Sequence, residues 1–272
     1  MTLIKIKPFL KWAGNKYRII DKIFPFFLPH KRLVEPFMGS GAFAFNRTVK
    51  DYLGADINSD LINVFNCLND DFIKHVKEFF SPDFFGEKMY YEMREIFNEE
   101  EISLFDRASI FVYLNKYGFN GLCRYNRHGK FTTPFNKSKK PASFPEIELK
   151  NALLKKENAF FKCQSFEKTF SEVFSGDLIY CDPPYLPEQH KNGVFTTYSG
   201  NEFTFENHIT LVELAQQCQQ MGIPVLISNH SSEITKELYQ KATQIIEFPV
   251  SRSMGRYENS KNSALELLAI YS

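Results

Sequence analysis

Asp177-Leu178-Ile179-Tyr180-Cys181-Asp182-Pro183-Pro184-Tyr185 is a short apolar run stopped by a carboxylate, two prolines and an aromatic ring. Its length, its Ile and Tyr content and the Pro-Pro stop predict a buried strand, with Asp182 to Tyr185 just past its carboxyl end. In open α/β sheets, ligands bind in the crevice outside the carboxyl ends of the strands, so this position makes the four residues a site candidate. Prolines fix φ and carry no backbone N–H, which leaves a stiff loop presenting carbonyl acceptors. The Asp182 carboxylate and a backbone carbonyl can each accept one N–H of a planar amino group while Tyr185 covers its face. A flipped nucleobase fits that set. Asp-Pro-Pro-Tyr also suits a plain turn, and the loop alone does not choose between the two.

Upstream, Leu33-Val34-Glu35-Pro36-Phe37-Met38-Gly39-Ser40-Gly41 predicts a strand that runs into a Gly-x-Gly turn, with a short helix from Ala42. Tyr52-Leu53-Gly54-Ala55-Asp56 predicts a second strand ending in an acid. Strand, glycine turn, helix, strand and terminal acid together hold a nucleotide-type cofactor, the acid on the ribose hydroxyls, and adenosine is the expected moiety. An ordinary βαβ turn is the plainer alternative. Before this unit, Pro8 to Lys16 carries the only tryptophan, Trp12, and a Gly-Asn turn, followed by a helix-like run through Phe27. Trp12 suits either a loop over a pocket or a core position. Downstream, Ala159 to Cys163 predicts a strand, with Ser165 and Phe166 at its end suited to edge and face contacts with a second adenine ring. A polar loop at 187–200, able to order over a substrate, precedes an amphipathic helix from Phe203 to Met221 and a strand from Ile223 to Asn229. His230, with no partner in sight, reads as structural, and Ala264 to Tyr271 as an edge or antiparallel strand.

From Asn58 to about Phe144 the periodicity turns helical, with Leu61, Ile62, Phe65 and Leu68 on one face and Ile110, Leu114 and Tyr117 on another. The expected organisation is therefore a catalytic domain of residues 1–57 and 145–272, with 58–144 as a helical insertion. Between Arg107 and Pro141 stand eight Lys or Arg residues and no Asp or Glu. Within that segment, Lys116 to Asn126 mixes rings, amides and guanidinium with two glycines, as a loop reading bases would. Interleaved basic and aromatic residues without an amphipathic stripe favour nucleic acid over a membrane surface, and a solvated basic face is the bland alternative.

The 272 residues carry a net charge of +1, so nucleic-acid binding has to rest on such a local patch. Hydrophobic residues at 43% and charged residues at 24% are ordinary for a globular protein, whereas 29 phenylalanines are not. Five scattered cysteines lack zinc or redox spacing and read as free thiols in a reducing compartment. No stretch is apolar enough to span a bilayer and no signal-peptide core is seen, so a cytoplasmic protein is expected.

Taken together, Phe9-Leu10-Lys11-Trp12-Ala13-Gly14, Val34-Glu35-Pro36-Phe37, Ala55-Asp56-Ile57-Asn58, Asn120-Gly121-Leu122-Cys123-Arg124-Tyr125-Asn126 and Asp182-Pro183-Pro184-Tyr185 occur in the order found in Dam-type DNA adenine-N6 methyltransferases, which the chain resembles over nearly its whole length. The resemblance implies an α/β, Rossmann-like methyltransferase sheet dependent on S-adenosyl-L-methionine, with a helical DNA-recognition insertion, acting on double-stranded DNA at GATC. It implies cofactor contacts from Trp12, Lys16, Asp56 and Asp182. Glu35, Phe37, Gly39, Ser165 and Phe166 complete the expected cofactor set. Asp182, Pro183 and Tyr185 are the expected catalytic residues, and Lys11, Phe119, Asn120, Leu122, Arg124, Asn126, Pro134 and Lys139 the expected DNA-binding residues. Neither a metal nor an obligate protein partner is expected, and the chain is expected to act as a monomer. Asn15 stands where the family usually has a glycine, Phe119 where it has a tyrosine, and Asn136-Lys137-Ser138 where it has Gly-Arg-Tyr.

A methyltransferase acting on RNA or a protein amide is the nearest alternative, since such enzymes use a similar loop, often with Asn in place of Asp182. A nicotinamide-dependent dehydrogenase shares the glycine turn but gives Asp182 to Tyr185 and the basic segment no task. A non-catalytic DNA-binding module would transfer no methyl group.

Overall fold

The computed structural model describes residues 5–99, 101–186, 203–250 and 264–272; the expected substrate-covering loop at 187–200 lies outside them. In chain order the elements are α1 (Ile20–Ile23), β1 (Arg32–Glu35), α2 (Ala42–Asn46), β2 (Asp51–Asp56), α3 (Ser59–Cys67), α4 (Asp70–Glu78), α5 (Glu87–Phe97), α6 (Leu104–Tyr117) and α7 (Glu146–Leu154). Then follow β3 (Ala159–Cys163), α8 (Phe166–Phe170), β4 (Asp177–Cys181), α9 (Phe205–Gln220), β5 (Val225–His230), α10 (Glu233–Leu238), β6 (Gln244–Val250) and β7 (Ala264–Tyr271). The strands form a seven-stranded sheet in the order β3-β2-β1-β4-β5-β7-β6. This is the mixed, mainly parallel α/β sheet expected of a Rossmann-like methyltransferase.

The described pairings of β2 with β3, β1 with β4 and β4 with β5 are parallel, whereas β7 runs antiparallel to both β5 and β6. Strands β4 and β5 are buried along their whole length, which is why their sequences read as continuous apolar runs rather than alternating ones. The last strand is antiparallel as expected but lies inside the sheet, because β6 covers its outer side. Strand β6 was not among the expected strands. Glu247 and Pro249 interrupt its pattern, and Pro, lacking an N–H, is tolerated there because the strand is an edge.

The chain divides into two compact units. The first comprises Met1–Arg18 and Met38–Cys163. Helix α6 packs against α3, α4 and α5, and its buried residues run all round it, so it serves as the unit's central helix. All the apolar positions predicted for the two helical faces are buried. Phe9, Phe45, Phe65 and Phe161 build an aromatic core, Phe65 stacking on Phe161 at 5.2 Å, so part of the phenylalanine excess is packing. Asn58, Asn69 and Ser103 cap α3, α4 and α6 by accepting backbone N–H bonds.

The second unit comprises Ile19–Phe37 and Gln164–Ser272. Here the helix-like run to Phe27 does not form one helix. Helix α1 is a single turn followed by a 3-10 turn at Phe24–Phe26, because Pro25 has no N–H to continue the ladder. The first residue of β1 is pinned to the first of β4: Arg32 donates from Nε and Nη2 to the two carboxylate oxygens of Asp177, at 2.9 and 2.6 Å. Among the described residues, no helix is long and apolar enough to cross a membrane.

Candidate functional site

In the second unit, β1 and β4 lie side by side with Val34 opposite Ile179, and both are followed by functional candidates. The sheet order reverses at this pair, since the chain goes from β1 to β2 on one side and from β4 to β5 on the other. That is the switch point at which open α/β sheets bind ligands. Glu35 is buried at the end of β1, and Asp182 is half-buried just past β4, followed by buried Pro183 and half-buried Tyr185.

Tyr185 is held from below by the sheet. Its hydroxyl donates to Glu266 Oε1, and its ring centroid stands 5.8 Å from that of His230. His230 and Glu266 are direct cross-strand partners of β5 and β7, and both are buried. Burial first, then the negative charges of Asp182 and Glu266, push the Tyr185 phenol well above its usual range, so it stays a donor.

Beside this loop is an aromatic wall. Phe37 stacks on Phe166 with centroids 5.5 Å apart, and Phe203 meets Phe37 edge-on at 5.4 Å. Ser165 has a local task, its side chain accepting the Lys168 N–H as the N-cap of α8. His208 of α9 meets Phe203 edge-on at 4.7 Å and is fully buried, with neither ring nitrogen at hydrogen-bonding geometry to any partner. The Pro184 carbonyl is close enough to favour a charged ring, but burial outweighs it and pulls the His208 pKa down to about 4.

A histidine with its folded pKa depressed below 6.5 stabilises the fold in its neutral form above pH 6.5, and this contribution is lost as pH falls toward about 4. The gap corresponds to roughly 3 kcal/mol at full protonation. Denaturant unfolding from pH 7 to pH 4 is therefore expected to show a steeper loss of stability in the wild type than in His208→Phe. Parallel pH profiles would contradict this placement.

The glycine turn belongs to the first unit. Gly39 and Gly41 both have positive φ, at +49° and +75°, and a Cβ on Gly41 would stand 2.7 Å from the Phe45 ring. Trp12 is half-buried and lies over the turn: a Cβ on Gly39 would be 3.0 Å from its Cδ1 and Nε1. The Gly39 N–H donates to Asp56 Oδ2 at 3.1 Å, and the Asn58 N–H to Oδ1 at 3.0 Å. Asp56 thus ties the end of β2 to the turn, and burial raises its pKa despite these bonds. Asn15, one of the departures from the family pattern, ties the Trp12 segment to the same turn by donating to Ser40 Oγ at 2.8 Å. Lys16 is buried, its Nζ donating to the Gly14 carbonyl at 3.0 Å.

In the basic segment, residues 117–126 run back along 130–136. Phe119 N–H donates to the Pro134 carbonyl and Thr132 N–H to the Arg124 carbonyl, at 2.9 and 2.8 Å. The 3-10 turn at Phe119–Gly121, next to the end of α6, puts Asn120 at φ +54° and Gly121 at φ +65°, conformations that Asn and Gly adopt most readily. Phe119, Asn120, Arg124, Asn126, Pro134 and Lys139 are exposed, and Leu122 is half-buried. Asn126 Oδ1 is engaged locally, accepting from His128 and Lys130 N–H. Arg107 does not belong to the solvated basic face: it pairs with buried Asp60 at 2.5 Å, which also accepts the Tyr125 hydroxyl at 2.7 Å. Burial, then the neighbouring Lys11 charge, pulls the Lys116 amine down to about 8.

Phe203, His208 and Glu266 lie outside the expected site set. Only Glu266 had a local signal, a carboxylate between Leu265 and Leu267 in an apolar strand.

Comparison with known proteins bears directly on this arrangement. Residues 12–254 match the family model of the D12 class N6 adenine-specific DNA methyltransferases. A DNA adenine methylase from Escherichia coli (strain K12) is 42% identical over 270 residues, covering 98% of this chain and 96% of the relative. One from Vibrio cholerae serotype O1 (strain ATCC 39541 / Classical Ogawa 395 / O395) is 40% identical over 272 residues, covering 98% and 97%. Another from Haemophilus influenzae (strain ATCC 51907 / DSM 11121 / KW20 / Rd) is 42% identical over 275 residues, covering 98% and 94%. With the acceptor loop at the switch point and the family match spanning nearly the whole chain, this protein belongs to the D12 class of N6 adenine-specific DNA methyltransferases.

Proposed function

We propose that the chain transfers a methyl group from S-adenosyl-L-methionine to the N6 amino group of adenine within GATC in double-stranded DNA. The observation that carries this reading is Asp182-Pro183-Pro184-Tyr185 at the switch point, with Tyr185 oriented by Glu266. The donor set fits an adenosine-type cofactor: a positive-φ glycine turn, a carboxylate at the end of the next strand and an indole over the turn. Trp12, Lys16, Gly39 and Asp56 would hold the cofactor, together with Glu35, Phe37, Ser165, Phe166 and Asp182. When bound, it supplies an electrophilic methyl group on a sulfonium sulfur.

The adenine amino nitrogen is a poor nucleophile because its lone pair is delocalised into the ring. Asp182 and the Pro183 carbonyl accept its two N–H bonds, favouring a pyramidal nitrogen with an outward lone pair. Their position in a stiff loop makes this a preorganised electrostatic contribution. Tyr185 stacks on the flipped base, and Glu266 fixes its ring through the hydroxyl. The nitrogen becomes acidic as its new bond forms, so Asp182 need not be a strong base to receive the departing proton.

DNA reading falls to the 58–144 insertion together with Lys11. Arg124 presents paired donors to guanine O6 and N7, Leu122 packs on a thymine methyl, and Phe119 fills the space left by the flipped adenine. Lys11, Asn120, Asn126 and Pro134 complete the contact set, and Lys139 meets a phosphate.

Asp56→Ala is expected to weaken S-adenosylmethionine binding by roughly tenfold or more, since buried donors left unpaired cost about 1–3 kcal/mol each. Calorimetry in the absence of DNA would show this; wild-type affinity would remove Asp56 from the cofactor set. The proposal as a whole is tested by offering labelled cofactor with DNA, RNA and protein separately. Label is expected in DNA alone, and its appearance in RNA or protein would favour the alternative substrates.

A further inference from the structure

A buried amide on α6 joins the DNA-reading turn to Lys11, a residue of the proposed DNA contact set whose chain neighbour Trp12 belongs to the proposed cofactor set. Asn115 is fully buried. Its Oδ1 accepts the Lys11 N–H at 2.8 Å, and its Nδ2 donates to the Lys11 carbonyl at 2.7 Å and to the Gly121 carbonyl at 3.3 Å. Both backbone polar groups of Lys11 are therefore satisfied by one side chain, which also reaches the turn at Phe119–Gly121.

The approach is close on the other side as well. A Cβ on Gly121 would stand 2.2 Å from the Lys11 Cβ, and the residue sits at φ +65°, so any side chain there would displace Lys11. Lys11 Nζ donates to the Lys116 carbonyl at 2.8 Å, which anchors the far end of its side chain to the last turn of α6. Trp12 follows directly, with its indole over Gly39 of the cofactor turn. A displacement of Lys11 thus has a short covalent path to Trp12, and a displacement of Gly121 a short one to Asn120 and Leu122.

We propose that Asn115 is a positioning residue that holds the segment Lys11–Trp12, which passes from a DNA contact to a cofactor contact, and the DNA-reading turn Phe119–Gly121 in one register, so that cofactor binding and sequence discrimination are coupled through its amide. This rests on the reading of those two segments given above. A coupling of this kind is reciprocal: cognate DNA tightens cofactor binding by the same factor by which cofactor tightens cognate DNA binding.

The test uses the full chain with Asn115→Leu, which keeps the bulk and removes these three bonds and a longer one from Nδ2 to Cys123 Sγ at 3.9 Å, Asn115→Asp, which keeps only the acceptor, and Gly121→Ala, which displaces Lys11 from the DNA-reading side. S-adenosylmethionine affinity is measured calorimetrically alone and with a GATC duplex, and methylation rates are measured on GATC and on single-substitution duplexes. In the wild type, the duplex is expected to tighten cofactor binding by about tenfold. In Asn115→Leu and Gly121→Ala, that enhancement is expected to vanish and the ratio of cognate to substituted rates to fall by about tenfold. Asn115→Asp is expected to lie between these and the wild type. The coupling is overturned if the wild type methylates GATC while both variants keep its enhancement and discrimination, or if they lower every rate by one common factor with the enhancement intact. A wild type that methylates no duplex overturns the functional reading, and the coupling with it.

Discussion

Asp182→Ala is expected to lower methyl transfer by roughly 10²–10³ at saturating DNA and cofactor, the loss typical when one preorganised polar group leaves a transition state. The effect should fall on kcat, because the carboxylate is needed most when the amino nitrogen turns pyramidal. Asp182→Asn keeps one acceptor oxygen and should retain more activity than the alanine variant. Tyr185 provides the contrast. Tyr185→Phe keeps the stacking ring but removes the hydroxyl that donates to Glu266, whereas Tyr185→Ala removes both. The phenylalanine variant should therefore lie between wild type and alanine. Single-turnover rates on a GATC duplex measure all four variants; an Asp182→Ala rate within a few-fold of wild type would remove the carboxylate from the mechanism.

Arg124→Ala is expected to relax discrimination at one guanine of the target by roughly 1–3 kcal/mol, while leaving rates on duplexes already substituted at that base nearly unchanged. Lys139→Ala should act differently. It should weaken all duplexes alike and flatten the slope of log affinity against log salt by about 0.9, the contribution of one neutralised phosphate. Both residues are exposed, so neither change should disturb the fold. A salt series on GATC and single-substitution duplexes separates the two classes. If Arg124→Ala lowers every substrate by one factor, Arg124 is a phosphate contact and base reading passes to other residues of the turn.

The features of the fold and site visible in the sequence are those whose chemistry is local. Strand β4 and its loop, the glycine turn after β1 and the acid ending β2 each occupy a few consecutive residues, where periodicity, Pro and Gly carry direct conformational meaning. What escaped depends on partners far along the chain. Asn115 and Lys11 are 104 positions apart, and Tyr185 and Glu266 are 81 apart, so no local pattern joins them. Arg107 shows the same limit from the opposite side. It counts as one more surface cation in a run of basic residues, yet Asp60, 47 positions earlier, takes it up as an ion pair. Strand β6 was hidden because edge strands tolerate the charge and proline that usually argue against a strand.

The roles proposed for Asp182, Tyr185 and Arg124 all turn on this chain placing a methyl group on N6 of adenine in GATC. The most direct test is to methylate mixed-sequence plasmid DNA with labelled S-adenosylmethionine and map every modified base. N6-methyladenine is expected only at GATC, with roughly a hundredfold less or lower in an Asp182→Ala reaction stopped at the same early time. Label on cytosine, on adenines without regard to sequence, or at equal levels in the Asp182→Ala reaction would contradict this.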